Sequence, residues 1–270
     1  KELQFEAKPD KPNPLIAKYL QELIGGQYGE MSVAMQYLFQ GWSCRGEEKY
    51  KDMLMDIATE EIGHVEMLAT MVARLLEGAP VEDQEAAMKK DPAIGAIISG
   101  MNPQHAIVAG LGPRPADSVG NPWSGAYIIA SGNLLADFRA NLNAESQGRL
   151  QVARIYEMID DRGVKDLLSV LLARDSYHQN LWAQAVKELE EKEGTILVPS
   201  TFPRNEERLD IAYDFYNFSE GDQSKEGSWA KGKALDGEGE YQWLSTPKVE
   251  GKAPKLDPVT PKMYGTPPEK

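Results

Sequence analysis

Apolar positions recur at helical spacing in four long stretches of this chain. The first extends from Pro14 to about Trp42, and the second from about Glu47 to Leu76. After a mixed segment, the spacing returns from about Tyr127 to Ile159 and from about Val164 to Glu191. Since an apolar stripe of this period marks the buried face of a helix, the pattern predicts four long α-helices.

The segments between these stretches predict how the helices are arranged. The sequence DDRG at 160–163 is a short link, so the third and fourth helices are expected to be antiparallel neighbours. Prolines recur throughout 78–125, and they predict a long crossover connection between two helix pairs that holds only short helices. Gly25, Gly26 and Gly29 interrupt the first helix. They indicate close helix packing, which we favour, or a local distortion.

The predicted fold is all-α, with a four-helix bundle domain at 1–193 and an extended tail rich in proline and glycine at 194–270. The domain includes an N-terminal extension and the crossover. The tail has too few apolar residues to fold alone. It is expected either to be disordered or to pack on the bundle or a neighbouring subunit, where Trp229, Tyr241 and Trp243 could be buried.

Charge and composition exclude several classes of function. The formal net charge of −13 leaves no basic surface for a phosphate backbone, so nucleic acid is not an expected partner. Cys44 is the only cysteine, which excludes an intramolecular disulfide and a thiolate metal site and fits a reducing cytoplasm. The first residues lack the apolar core of a signal peptide, and no apolar stretch is long enough to span a bilayer. A soluble protein without a membrane partner is expected.

Two histidines each follow an acidic residue by three positions. The pairs are Glu61-Ile-Gly-His64 on the second predicted helix and Asp175-Ser-Tyr-His178 on the fourth. Residues at i and i+3 share one face of a helix, so each acid and its histidine can meet the same metal ion. Helical bundles that bind two iron or two manganese ions use Glu-x-x-His in this way.

The same bundles require a single glutamate on each of the other two helices. Glu30 on the first predicted helix and Glu145 on the third supply them in the required order. One Glu-x-x-His alone is commonly an exposed pair, but four such elements together favour a buried dinuclear site. Burying these carboxylates without cations would be costly, and divalent metals offset that cost. His105 has no acidic partner at helical spacing, and we interpret it as structural.

Longer motifs around these residues resemble the non-haem manganese catalase family. The motifs are GGQYGEMSVAMQYLFQGW, DMLMDIATEEIGHVEML, SGNLLADFRANLNAES, RLQVARIYEM, LLARDSYHQ and, in the tail, NFSEGD. The resemblance covers most of the chain. It implies a ferritin-like bundle whose dimanganese centre disproportionates hydrogen peroxide to water and oxygen. It also implies a homo-oligomer, typically a hexamer, in a bacterial cytoplasm.

The resemblance assigns two manganese ions per subunit to five positions. Glu30 and His64 would bind one ion and Glu145 and His178 the other, with Glu61 bridging the two.

Two further positions acquire catalytic roles from the same resemblance. Tyr37 matches a tyrosine beside the metal ligands, and Asp175 matches an acid that relays protons.

The family also binds calcium, and this chain offers oxygen donors at the matching positions. The implied ligands are Asp52, Asp56, Asn217, Ser219 and Gly221. Asp52 and Asp56 lie one helical turn apart, and the spacing alone is more typical of an exposed acidic pair; the resemblance of NFSEGD reverses that preference. Calcium prefers oxygen ligands of these kinds.

Two departures from the family pattern concern the surroundings of the metals. Asp175 stands where a glutamate is common, and its shorter side chain is expected to weaken the proton relay or to require a water molecule. Ala144 replaces an arginine that guards the cluster in some members, so the access channel is expected to be more open or differently gated.

Two alternatives stay open: a di-iron ferritin-like oxidase, because spacing does not select the metal, and a catalase-like structural protein of the spore coat.

Overall fold

A computed structural model of the chain describes residues 2–79, 100–199, 201–248 and 251–257. The chain divides into two compact units, residues 1–200 and 201–270. The helices of the first unit within these ranges are α1 (Pro14–Gly25), α2 (Glu30–Ser43), α3 (Glu48–Leu75), α4 (Pro103–Ile107), α5 (Leu134–Met158) and α6 (Arg162–Glu193). None of the described helices is long and apolar enough to cross a membrane.

The single helix predicted from Pro14 to Trp42 is wrong, because the chain breaks into α1 and α2 at its glycines. Gly26 adopts an extended conformation that ends α1, and Gly29 precedes α2. The close packing that we favoured is present as well, since a Cβ atom on Gly25 would lie 2.4 Å from the backbone of Ala116. The break has a consequence for the site: Glu30 becomes the first residue of α2.

Helix α5 begins at Leu134 instead of Tyr127 because the local chemistry at its start outweighs the apolar run before it. The side chain of Asn133 accepts a hydrogen bond from the backbone N–H of Ala136, which caps the helix. Gly132 lies just before the helix and has a φ of 82°. This left-handed conformation favours glycine and is incompatible with a helix that continues through it. The run AYIIA therefore lies in the connection, apart from a short 3-10 turn at Gly125–Tyr127.

Two antiparallel hairpins, α2 with α3 and α5 with α6, form the bundle. Gly41 of α2 packs against Leu54 and Met55 at the opposite end of the hairpin from Glu30 and His64. In the second hairpin, Asp161 caps α6 and Gly194, with a φ of 69°, ends it. The crossover between the hairpins contains α4, which Asn102 caps. The part of the predicted crossover at 80–99 lies outside the described residues.

A layer of buried polar side chains divides the apolar core of the bundle into two clusters. Along α3 the change from one cluster to the other falls between Ala58 and Met67, and along α6 it falls between Leu171 and Trp182. The candidate metal ligands of both helices lie in these gaps. Apolar packing on either side therefore fixes their height in the bundle, which is the usual way in which a helical scaffold positions a metal site.

The second unit contains a small sheet that the sequence did not predict. Its strands are β1 (Asp214–Tyr216), β2 (Lys231–Lys233) and β3 (Glu240–Leu244), in the order β1-β3-β2. β1 runs parallel to β3 and β2 antiparallel to it. We expected this tail to lack a fold of its own, but Trp243 donates a hydrogen bond to Ser224 and Tyr241 packs against Tyr213 inside the unit. These contacts within the second unit order a segment that has few apolar residues.

Candidate metal centre

Five side chains from the four bundle helices converge in the polar layer. They are Glu30 of α2, Glu61 and His64 of α3, Glu145 of α5 and His178 of α6. None of them is more than 7% exposed, and both histidines are fully buried. Four of the five lie in helix interiors, where the period of the apolar stripe directs them inward.

The five side chains form two groups that share Glu61. In one group ligand atoms of Glu30, Glu61 and His64 all lie within 4.8 Å of one another, and in the other the same holds for Glu61, Glu145 and His178. Glu61 Oε2 is 2.6 Å from His64 Nδ1, and Glu61 Oε1 is 2.8 Å from His178 Nδ1. Each oxygen of one carboxylate thus faces a different histidine, which is the arrangement that a carboxylate bridging two ions requires.

The donor set fits divalent metals better than it fits a metal-free interior. Glu61 Oε1 and His178 Nδ1 are buried without a hydrogen-bond partner among the described residues, although they face each other. Leaving such groups unsatisfied costs about 1–3 kcal/mol each. Three carboxylates and two imidazoles are nitrogen and oxygen donors that manganese and iron accept, whereas this centre offers no sulfur.

Burial and mutual charge shift the pKa values of these groups in opposite directions. Burial raises the pKa of Glu30 well above its usual range, and burial followed by the charge of Glu61 raises that of Glu145. Burial disfavours the charged form of Glu61 as well, but the neighbouring histidines, His64 first, outweigh it and lower the pKa. In the absence of metal the centre therefore holds protons among these carboxylates and imidazoles, and metal ions must displace them.

Tyr37 and Asp175, the two positions with predicted catalytic roles, both lie beside this centre. The Tyr37 hydroxyl donates a hydrogen bond to Glu145 Oε1 at 2.5 Å, and its ring packs 5.0 Å from that of Trp182. Asp175 is 5% exposed, and burial, followed by the charges of Glu145 and Glu61, raises its pKa above the ordinary range. A carboxyl group in this state can hold a proton close to neutral pH.

A small cavity lies over the centre on the side of α2 and α5. Glu30, Glu145 and Asp175 contribute its polar lining, and Ala144 is among its apolar lining residues. The short side chain of Ala144 leaves this space free next to two of the candidate ligands.

His105 lies elsewhere: it is buried, and its Nε2 is 3.2 Å from Gln21 Oε1, which fits the structural role that we predicted.

The predicted calcium ligands belong to different units of the chain. Asp52 and Asp56 are exposed on α3 and line a surface pocket that also contains Lys49. In the second unit Ser219 Oγ is 3.0 Å from both Asn217 Oδ1 and the carbonyl oxygen of Gly221, so these three residues form a local cluster of oxygen donors.

Glu60 was not among the predicted site residues, yet it approaches both histidines from the side opposite Glu61. Its two carboxylate oxygens lie 3.6 Å from His64 Nε2 and 3.4 Å from His178 Nε2. Arg174 forms two hydrogen bonds with the same carboxylate. The nearby His64 ring is the main reason that the pKa of Glu60 is lowered to about 2, although burial opposes it. The spacing of Glu60 four residues before His64 was the available signal.

The helices and the centre define a class of protein: a ferritin-like four-helix bundle with a carboxylate and histidine site suited to metal ions. The sequence profile of the family described as manganese containing catalase matches residues 1–268. A manganese catalase of Bacillus subtilis strain 168 is 62% identical over 266 residues, covering 98% of this chain and 96% of the relative.

Two more distant relatives agree with this match. A manganese catalase of Lactiplantibacillus plantarum is 43% identical over 266 residues, which is 98% of this chain and 97% of the relative. The crystal structure of KatB, a manganese catalase from Anabaena, superimposes with a TM-score of 0.70 and 27% identity, covering 92% of this chain and 98% of that one. The chain therefore belongs to the manganese-containing catalase family, and it is a catalase.

Proposed function

We propose that the chain holds two manganese ions per subunit and uses them to disproportionate hydrogen peroxide to water and oxygen. Glu30 and His64 bind one ion, Glu145 and His178 bind the other, and Glu61 bridges them. The observation that carries this assignment is the pair of buried ligand groups that meet at the two oxygens of Glu61. The same five positions carry the resemblance to the family.

A pair of manganese ions supplies the electron storage that the reaction requires, since two electrons must be taken from one peroxide molecule and returned to the next. The residues of the chain do the remaining work. The five ligands keep the ions at fixed positions in the bundle, and the Tyr37 hydroxyl holds one oxygen of Glu145 in place.

Asp175 is our candidate for the proton relay. Its carboxyl group is buried beside Glu30 and Glu145 in the cavity above the centre, and this burial favours the protonated form. Ala144 lines the same cavity, where its short side chain leaves space beside Glu145, in keeping with an access channel that is more open or differently gated.

Manganese content and oxygen release measured on one sample test the assignment. The variant Glu61→Ala should lose both activity and manganese, because it removes the only residue common to the two ligand groups. Glu48→Ala is the matched control, since Glu48 is an exposed glutamate of the same helix. A Glu61→Ala protein that keeps its manganese and its rate of oxygen release would exclude this site. The absence of a Soret band distinguishes the activity from that of a haem catalase.

The two alternatives differ from this proposal in measurable ways. A di-iron oxidase would contain iron after purification without added metal and would be activated by iron instead of manganese. A structural spore-coat protein would bind metal but release little oxygen per bound manganese. The high identity to proteins named manganese catalase favours the peroxide reaction over both.

We further propose a bound calcium ion, a homohexamer and a cytoplasmic location. The family resemblance assigns the calcium ligands to Asp52, Asp56, Asn217, Ser219 and Gly221, all of which carry the oxygen atoms that calcium prefers. Elemental analysis of the purified protein tests for calcium, and light scattering of the same sample tests for the hexamer. A protein without calcium would contradict the first proposal, and a mass different from that of six subunits would contradict the second. Fractionation of the producing cells tests the location.

A further inference from the structure

The two buried histidines have one ring nitrogen each that faces away from the candidate metal positions. Their Nδ1 atoms face Glu61, whereas both Nε2 atoms lack a hydrogen-bond partner among the described residues. A neutral histidine that binds a metal through Nδ1 carries its proton on Nε2, and a buried N–H group requires an acceptor. Each ring therefore needs an oxygen on its far side.

Glu60 is placed to supply that oxygen to both rings. Its Oε1 faces His64 Nε2 at 3.6 Å and its Oε2 faces His178 Nε2 at 3.4 Å. Both distances are a few tenths of an ångström longer than a normal N–H···O hydrogen bond, so the rings would have to turn slightly toward Glu60 when a metal binds at Nδ1. Because Glu60 and Glu61 are adjacent in α3, they approach the two rings from different sides.

Arg174 fixes the orientation of the Glu60 carboxylate. Its Nε donates a hydrogen bond to Oε1 at 2.5 Å and one of its terminal nitrogens donates to Oε2 at 3.1 Å. Two parallel bonds of this kind hold a carboxylate in one plane. The guanidinium group also lies 4.8 Å from the centre of the Tyr177 ring, which limits its own movement. Each oxygen of Glu60 thus has one arginine donor and one histidine neighbour.

We propose that Glu60, held by Arg174, is a positioning residue that accepts a hydrogen bond from Nε2–H of both metal-binding histidines and so orients the two manganese sites together. The inference rests on the ligand set proposed above. Its distinctive feature is the sharing: in most metal sites each histidine has its own outer partner, whereas here one carboxylate serves two ligands of two ions. Loss of that carboxylate must therefore affect both ions.

Manganese titration of the full-length protein tests this inference. Glu60→Ala should weaken binding at both sites, by about 10- to 100-fold each, the usual effect of removing an outer partner of a histidine ligand. In Glu60→Gln the manganese affinities of the two sites should differ from each other, because the amide has one oxygen that accepts a hydrogen bond and one NH2 group that cannot. The paramagnetic resonance signal of the bound manganese pair should change with it.

Glu190→Ala is the matched control, since Glu190 forms an ion pair with Arg139 at 2.6 Å and has a side-chain exposure of 27%, close to the 24% of Glu60. Both manganese affinities of this variant should equal those of the unmodified chain. Affinities unchanged in Glu60→Ala, or weakened at one site alone, would overturn the inference. Should Glu60→Ala fail to fold, the nearly isosteric Glu60→Gln decides, and equal affinities in that variant overturn it. An unmodified chain that binds no manganese pair would refute the proposed function instead.

Discussion

At the scale of single residues, the centre depends on hydrogen bonds that act through the ligands. Tyr37 donates its hydroxyl to Glu145 while its ring fills the core beside Trp182. Tyr37→Phe keeps the ring and removes the donor, so we expect manganese affinity or activity to fall about 10-fold or more while stability changes by only about 1 kcal/mol. Tyr50→Phe is the control, because its hydroxyl bonds to Glu188 at the surface. A Tyr37→Phe protein whose manganese affinity and rate of oxygen release per manganese both equal those of Tyr50→Phe would contradict this role.

The buried side chain of His105 should make the stability of the fold depend on pH. Burial, assisted by the charge of Arg114, lowers its pKa in the folded protein. Below a pH of about 6.5 the unfolded chain gains a proton at this residue that the folded chain does not, so stability falls as the pH falls. Urea unfolding at about pH 7.5 and about pH 5.5 should show a smaller loss of stability in His105→Gln. A loss as large as in the unmodified chain would contradict the assignment.

The site residues illustrate what a sequence can provide at this scale. The two acid-x-x-His pairs and the single glutamates locate the five candidate ligands, because helical periodicity alone places them on buried faces. Glu60 was not found, since its role depends on reaching across to His178 on another helix. Contacts between helices are not encoded in the spacing of one helix.

At the scale of elements, the helices agree with the apolar pattern, and their ends depend on local backbone chemistry. Periodicity predicts α3 and α6 to within a few residues. It fails at Gly26–Gly29 and before Leu134, where glycine conformations and the Asn133 cap decide where helices start and stop. Periodicity describes burial, and it carries little information about such turns.

Helix α1 packs closely against the crossover at Gly25. Gly25→Ala would place a Cβ atom 2.4 Å from the backbone of Ala116, which cannot move as a side chain can. We expect a destabilisation of about 1–3 kcal/mol, as for other overpacked positions. Gly125→Ala is the control, because a Cβ atom there meets nothing within 4 Å. Thermal unfolding of the two variants compares them, and an equal midpoint would contradict the close packing.

At the scale of the whole molecule, metal binding should be coupled to the stability of the bundle. The centre gathers three carboxylates and two histidines between two apolar clusters, so bound manganese would satisfy groups that are costly to bury alone. Free manganese at 100 times the dissociation constant should stabilise the fold by about 2.7 kcal/mol per site. Thermal unfolding with manganese or with a chelator measures this shift. Glu61→Ala should show little response, and a full response from that variant would contradict the coupling.

The second unit marks the limit of prediction at this scale. Its sheet relies on short strands and on contacts such as that between Trp243 and Ser224. The spacing of apolar residues does not predict such features. The bundle, in contrast, follows from long stripes of apolar residues that must be buried against one another.

Diffraction at the manganese absorption edge, on crystals grown with manganese, locates the bound ions directly. We expect two anomalous peaks per subunit within the bundle. One should lie beside Glu30 and His64 and the other beside Glu145 and His178, with an oxygen of Glu61 next to each. A single peak, or two peaks away from Glu61, would contradict the proposed ligand set.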